Sequence, residues 1–293
     1  PYRSVASGGI VVCRCDSYRG LTGVDRNGTS NQKPREIMGK NVVITGRGGA
    51  GKSTFTALAA RCVKEAPLLV DADPDQCLAY LLGVDLSNED VKTISQMLYE
   101  VQDKGKLEEL QSMPLVERIE YLLHMSCLYE GDGFDLLTLG VKWTKGCYCQ
   151  PNNVLRNLIP ELGDSYEYTF IDSPAGLEHL NRRILDRIDD LFVVMDPSSK
   201  SVREVDRLQH IAESIDISVG NLFAVANHEF DDEMEKRLGA LDGVDYLGRL
   251  GYDDGVLDCD WRGDSLWTLP EGSPAYASVR SVLEKAGYST NSS

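Results

Sequence analysis

The chain predicts an α/β fold in which a doubly wound, mostly parallel sheet carries helices on both faces. Three observations support that expectation. From Asn41 onward, short runs of Val, Ile and Leu alternate with helix-length segments, and near-continuous apolar strands belong to sheets covered on both sides. The first run, Val42-Val43-Ile44, passes through a glycine-rich loop into Phe55-Thr56-Ala57-Leu58-Ala59-Ala60. Acidic or amide residues close several later runs, and open α/β sheets bind their ligands at those carboxyl ends.

In chain order, strands are expected at 42–45, 68–71, 136–139, 168–171, 191–195, 222–226 and 246–250. Helices are expected at 52–64, 75–82, 92–101, 106–127, 152–162, 177–188, 200–214, 231–240 and 275–286. Residues 1–37 stand outside this pattern: they are rich in Arg, Ser, Gly and Asn, lack sustained periodicity and begin with Pro. They read as a disordered extension or a segment added to the natural chain. Met38-Gly39-Lys40 then opens what is expected to be a single α/β domain over 38–293.

Composition narrows the partners. The 293 residues are 42% hydrophobic and 26% charged, an ordinary globular balance. A net charge of -16 opposes nucleic-acid binding, which needs clustered Lys and Arg. No apolar run reaches membrane-span length, and no charged-then-apolar signal opens the chain. The expected setting is cytoplasmic, with neither membrane nor nucleic acid as partner. There thiols stay reduced, and Cys62, Cys77 and Cys127, in apolar surroundings, read as small buried hydrophobes.

The loop Gly46-Arg47-Gly48-Gly49-Ala50-Gly51-Lys52-Ser53-Thr54 fits the phosphate-binding pattern G-x-x-x-x-G-K-[ST] in its strand-then-helix context. Backbone N–H groups from Gly48 to Thr54 can curl around phosphate oxygens at a helix N-terminus. Lys52 can bridge the terminal phosphates, and the Ser53 hydroxyl can ligate Mg²⁺. After the second run, Asp71-Ala72-Asp73-Pro74-Asp75 offers a carboxylate to orient an attacking water or hold Mg²⁺ water ligands. Asp172 ends the run Tyr168-Thr169-Phe170-Ile171 and fits the acidic Mg²⁺ partner of such ATPases, with Ser173 to Gly176 turning near the terminal phosphate. Asn227 follows the sixth run with both an amide donor and an acceptor for a base edge. No Asn-Lys-x-Asp is present there, so adenine is expected rather than guanine, with ATP and ADP as ligands.

Two close cysteine pairs remain. Cys13-Arg14-Cys15 lies in the N-terminal segment. Cys147-Tyr148-Cys149 sits just before a helix. Thiols at that spacing suit a local disulfide poorly and leave a tetrahedral soft metal half-satisfied. A symmetric dimer would supply four sulfurs on its two-fold axis; the other reading is a pair of ordinary loop cysteines.

Together, Gly-Arg-Gly-Gly-Ala-Gly-Lys-Ser-Thr, Asp-Ala-Asp-Pro and Ile-Asp-Ser-Pro-Ala-Gly resemble the deviant-Walker ATPases, the class of MinD, ParA, ArsA and the nitrogenase iron protein. Within it, Gly146-Cys147-Tyr148-Cys149 with Asn153-Val154-Leu155-Arg156, and Ala175-Gly176-Leu177-Glu178-His179-Leu180, resemble the CooC-type ATPases. Those support nickel insertion into carbon monoxide dehydrogenase, and the related AcsF proteins serve acetyl-CoA synthase. The resemblance spans roughly residues 39–287 and implies a nucleotide-sandwich homodimer with a nickel-dependent client. It implies that Lys52 binds phosphates, Ser53 ligates Mg²⁺ and Asp172 reaches that ion through water. Asp73 would position the hydrolytic water with Asp71 in support, and Asn227 would contact adenine. Cys147 and Cys149 would hold Ni²⁺ or Zn²⁺ across the dimer. Two departures stand out: Arg47 replaces the lysine that usually reaches the partner subunit's phosphates, and Gly251 replaces a usual proline. Alternatives within the class are a ParA/MinD-like positioning ATPase without metal and an electron donor like the nitrogenase iron protein. The latter lacks its cysteine between Ser173 and His179.

Overall fold

The structure, a computed structural model, describes residues 39–104, 121–123, 125–141, 149–174, 185–214, 217–239, 241 and 243–291. The elements alternate as expected. They are β1 (Lys40–Gly46), α1 (Lys52–Cys62), β2 (Leu68–Asp71), α2 (Cys77–Leu81), α3 (Ile94–Lys104), β3 (Leu128–Glu130) and β4 (Asp135–Thr138). There follow α4 (Cys149–Gly163), β5 (Tyr168–Asp172), β6 (Arg187–Met195), α5 (Ser199–Ser214), β7 (Ser218–Ala226) and α6 (Asp232–Leu238). The chain continues with β8 (Asp245–Arg249), α7 (Asp254–Arg262), a 3₁₀ turn (Leu266–Thr268) and α8 (Pro274–Lys285).

The eight strands lie in the order β3-β4-β2-β5-β1-β6-β7-β8. Every neighbouring pair is parallel except β3 with β4. Alternate strand residues feed two cores. On one face Ile44, Phe170, Phe192 and Val194 pack with Phe55 and Leu58 of α1 and with Val279 and Leu283 of α8. On the other, Val43, Val70, Ile171 and Val193 pack with Ile94 of α3, Leu158 of α4 and Leu208 of α5. Helices therefore cover both faces, as the apolar strands required. β1 is central, between β5 and β6, and the strand order reverses around it, which opens a crevice at its carboxyl end.

Three local expectations change. The segment expected as a helix over 177–188 ends in strand: Arg187 and Ile188 open β6, pairing with Ser218 and Val219. The cross-strand partner and the burial of Ile188 set that boundary. β3 is an added antiparallel edge that three residues of weak pattern did not announce. α7 was also unexpected, because Cys259 is its one buried side chain. Its caps are strong: Asp253 accepts from the Gly255 N–H, and Gly263 closes it at φ 72°. Residues 105–120 and 177–184 lie outside the described residues.

Toward the amino ends of the central strands, Asp190 of β6 is fully buried between β1 and β7. Lys40 Nζ (3.1 Å), Asn221 Nδ2 (2.6 Å) and the Tyr288 hydroxyl all donate to its carboxylate. Asn291 fastens the same C-terminal segment by donating to the carbonyls of Arg61 and Cys62, the last of α1, and of Val63 just beyond. Tyr288→Phe removes one donor from a buried charge and is expected to cost about 1–3 kcal/mol in urea unfolding. Lys40→Ala, which strips a half-exposed partner, is expected to cost less.

Candidate nucleotide site

The parallel register brings the candidate residues to one edge. Ile44 of β1 and Asp71 of β2 both pair with Asp172 of β5, so the two carboxylates end adjacent strands side by side. One step beyond Thr45, Gly46 pairs with Val194 at φ 140°. A Cβ there would sit 2.1 Å from the Val194 carbonyl oxygen, so only glycine lets β1 turn while paired. Gly51, at φ 99°, then starts α1 with no side-chain cap and no acidic residue in the first turn. The N–H groups of that turn face the cleft free for an anion.

Gly48 to Thr54, Asp73 and Asn227 line one cleft of about 750 Å³. Lys52 is largely buried and donates to the Arg47 carbonyl at 3.1 Å, folded back on its own loop. Asp172 lies beneath, fully buried, and neither carboxylate oxygen has a hydrogen-bond partner. Burial pushes its pKa to about 7. The nearby Ser53 hydroxyl, outside hydrogen-bond geometry, and the Lys52 ammonium pull it back, while Asp73 adds to the rise. Asp71 is also raised, by burial first and Asp172 second. Its two oxygens accept the Asp73 and Leu78 N–H groups, each at 3.1 Å, so it clamps the Asp73 turn to the start of α2. Asp73 itself is half-buried at the wall and caps the Asp75 N–H.

Arg47 points elsewhere. Its Nη1 donates to Asp196 Oδ2 (3.0 Å) and Ser198 Oγ (2.8 Å), just after β6. Burial acts to raise the Asp196 pKa, but the Ser198 and Ser201 hydroxyls, the Ser198 N–H and the Arg47 charge outweigh it and hold it low. Glu204 of α5 faces the same group, with one buried oxygen unmatched. Asn227 is buried, and its amide is engaged by Glu229: Nδ2 donates to the carboxylate at 3.1 Å and Oδ1 accepts the Glu229 N–H at 3.1 Å. One amide hydrogen is left for a base edge.

Several lining residues carried no signal in the residue pattern. Tyr80, Tyr252, Val256 and Leu257 wall the far end of the cleft, and the Tyr252 and His228 rings stand 5.4 Å apart. The rule that ligands sit past strand ends would have found Tyr252, three residues beyond β8. Gly251 explains the missing proline: its N–H donates to Ser278 Oγ, and a Cβ would meet the Pro274 carbonyl oxygen at 2.6 Å.

The cysteines divide. Cys62 and Cys127 are buried, and burial lifts both thiols to about 12. The expectation for Cys77 fails: it is exposed, opens α2 and lines the cleft, because the helix is short and its buried face falls to Leu78, Ala79 and Leu81. Cys13, Cys15 and Cys147 lie outside the described residues, as do Ala175 and Gly176, and Cys149 begins α4. Among the described residues, no group of three His, Cys, Asp or Glu could hold a metal ion. No described helix is long and apolar enough to cross a membrane.

The folded pKa of Asp172 lies above its unfolded value near 3.8, so protonation favours the fold. Its contribution is full below that value and lost as pH rises through about 7. Asp172→Asn is therefore expected to stabilise the nucleotide-free protein at pH 8 by roughly 1–3 kcal/mol, and the gain fades toward pH 5. Thermal unfolding across pH checks this.

Comparison with known proteins agrees with this geometry. Residues 39–223 match the AAA domain family. An uncharacterized ATP-binding protein of Methanocaldococcus jannaschii is 33% identical over 253 residues, 83% of this chain and 97% of that one. The carbon monoxide dehydrogenase accessory protein CooC of Rhodospirillum rubrum is 26% identical over 258 residues, 84% of this chain and 97% of its own. Among solved structures, the septum site-determining protein MinD of Pyrococcus horikoshii, complexed with Mg-ADP, superposes with TM-score 0.60. It is 18% identical and covers 85% of this chain and 96% of its own. The chain belongs to the AAA domain family and is a P-loop ATPase.

Proposed function

We propose that this ATPase works as a homodimeric maturation factor that handles nickel for an enzyme of the carbon monoxide dehydrogenase or acetyl-CoA synthase type. The observation that carries the ATP-dependent part is the orphaned carboxylate of Asp172, buried beneath the phosphate loop beside Ser53 and Lys52. A buried charge without a partner is costly, and a hydrated divalent cation would satisfy it. Ser53 and Asp172 would hold Mg²⁺. Bound there, the ion would neutralise charge on the terminal phosphates.

The chain's own groups have distinct tasks. The N–H groups of Gly48 to Thr54 hold the phosphates, and Lys52 leaves the Arg47 carbonyl to bridge them. Asp73 accepts a proton-side hydrogen bond from the attacking water, and Asp71 holds the turn that aims it. Asn227 reads the adenine edge with its remaining amide hydrogen. Arg47 must leave Asp196 before it can reach a partner subunit's phosphates, where its planar fork would act as an arginine finger. A cytoplasmic setting fits reduced thiols at Cys147 and Cys149. Nickel handling draws support from that Cys-x-Cys pair and from the likeness to CooC. A MinD-like positioning role without metal is the second reading, favoured by the MinD fold.

Metal content and sedimentation of the full chain, with and without ATP, separate the two readings. One Ni²⁺ or Zn²⁺ per dimer, lost in the Cys147→Ser/Cys149→Ser double variant, is expected. Equal metal content in both forms favours the positioning role. Asp73→Ala is expected to bind ATP normally yet hydrolyse it at least about 100-fold more slowly; wild-type turnover removes Asp73 from the chemistry. Mixing Arg47→Ala with Lys52→Ala subunits tests contact in trans, which predicts partial rescue of hydrolysis.

A further inference from the structure

α7 presents an apolar ridge that its own fold leaves uncovered. Trp261 is 90% exposed and Leu257, one helical turn before it, is 56% exposed. Tyr252, just ahead of the helix, is also 56% exposed. Tyr80 continues the surface at 49% exposure, held there by its hydroxyl donating to the Asp260 carbonyl at 2.6 Å. The inward side of α7 is already anchored through Cys259 and Val256, so packing gives no reason for a tryptophan on the outward side. Exposed tryptophan set among tyrosine and leucine is the composition of an interface anchor.

Charge identifies what the ridge fits. The segment from Tyr252 to Asp264 carries five aspartates and one basic residue, Arg262, whose guanidinium lies 3.8 Å from Asp258. A second copy of this chain would bring like charges together, and an anionic lipid surface would be repelled. A basic segment meets neither obstacle. Lysine or arginine side chains can pair with the aspartates and stack on the Trp261 face, while apolar side chains cover Leu257. We propose that the Leu257–Trp261 ridge docks a partner protein through an apolar segment flanked by Lys and Arg. Tyr252, Leu257 and Tyr80 also wall the nucleotide cleft, so that partner would sit at its mouth.

The test uses the full chain without nucleotide, titrated with a synthetic amphipathic leucine–lysine peptide and with a leucine–glutamate peptide of equal apolar content. Anisotropy of the dye-labelled peptides reports binding in every variant, and wild-type tryptophan emission minus that of Trp261→Ser isolates the Trp261 signal. The expected result is binding of the leucine–lysine peptide with a blue shift, and none of the leucine–glutamate peptide. Trp261→Ser and Asp258→Lys should each weaken binding about tenfold or more, with ATPase activity and circular dichroism unchanged. Asp164→Lys, just after α4 and beside the amino ends of β1 and β5, controls for general charge attraction and should bind as wild type. The proposal is overturned if Trp261→Ser binds as tightly as wild type, or if wild type binds neither peptide. It is overturned equally if phosphatidylglycerol vesicles bind through Trp261, or if the nucleotide-free chain self-associates in a way that Trp261→Ser abolishes.

Discussion

Everything at the site depends on two carboxylates buried side by side at the ends of adjacent parallel strands. Asp71 and Asp172 are register partners with no solvent exposure. Burial opposes their ionisation, aided by Asp172 at Asp71 and by Asp73 at Asp172, and each is answered differently. Asp71 gives its oxygens to backbone N–H groups and becomes a structural clamp. Asp172 has no such partner and stays poised. A fold optimised for stability alone would not leave that charge orphaned, and such local costs gather where chemistry is done.

The cations around that pair are held in reserve. Lys52 folds back onto the Arg47 carbonyl, and Arg47 is anchored by Asp196 and Ser198. Asn227 is similarly engaged by Glu229. Each of these three side chains has an intramolecular partner, which keeps its polar atoms satisfied, in contrast to Asp172. The Arg47 contact matters most, because its Nη1 must release both Asp196 and Ser198 before the side chain can move.

Legibility followed pattern strength. Strands of continuous Val, Ile and Leu, such as Val42 to Ile44 and Phe192 to Val194, were readable because burial on both faces demands that composition. The phosphate loop was readable because its backbone path, with positive φ at Gly46, Gly49 and Gly51, tolerates few residues other than glycine. Cys77 misled because its apolar neighbours, Leu78 and Ala79, take the buried face of a helix only five residues long. α7 and the Tyr252 segment escaped notice because exposed aspartates and an exposed tryptophan leave no periodic apolar face. Ile188 joined a strand rather than a helix through its pairing with Val219, a partner that no local window contains.

The amino-acid sequence by itself determined the fold class, the phosphate loop and the strand-end position of Asp71, Asp172 and Asn227. These rest on local rules: backbone freedom at glycine, apolar runs in covered strands and ligands at carboxyl ends. Only the tertiary structure decided that Asp71 is clamped while Asp172 is bare, that Arg47 rests on Asp196, and that Cys77 and Tyr252 share the cleft. Those outcomes depend on strand register and on which helix packs over which edge, and pairing between segments far apart in the chain sets both.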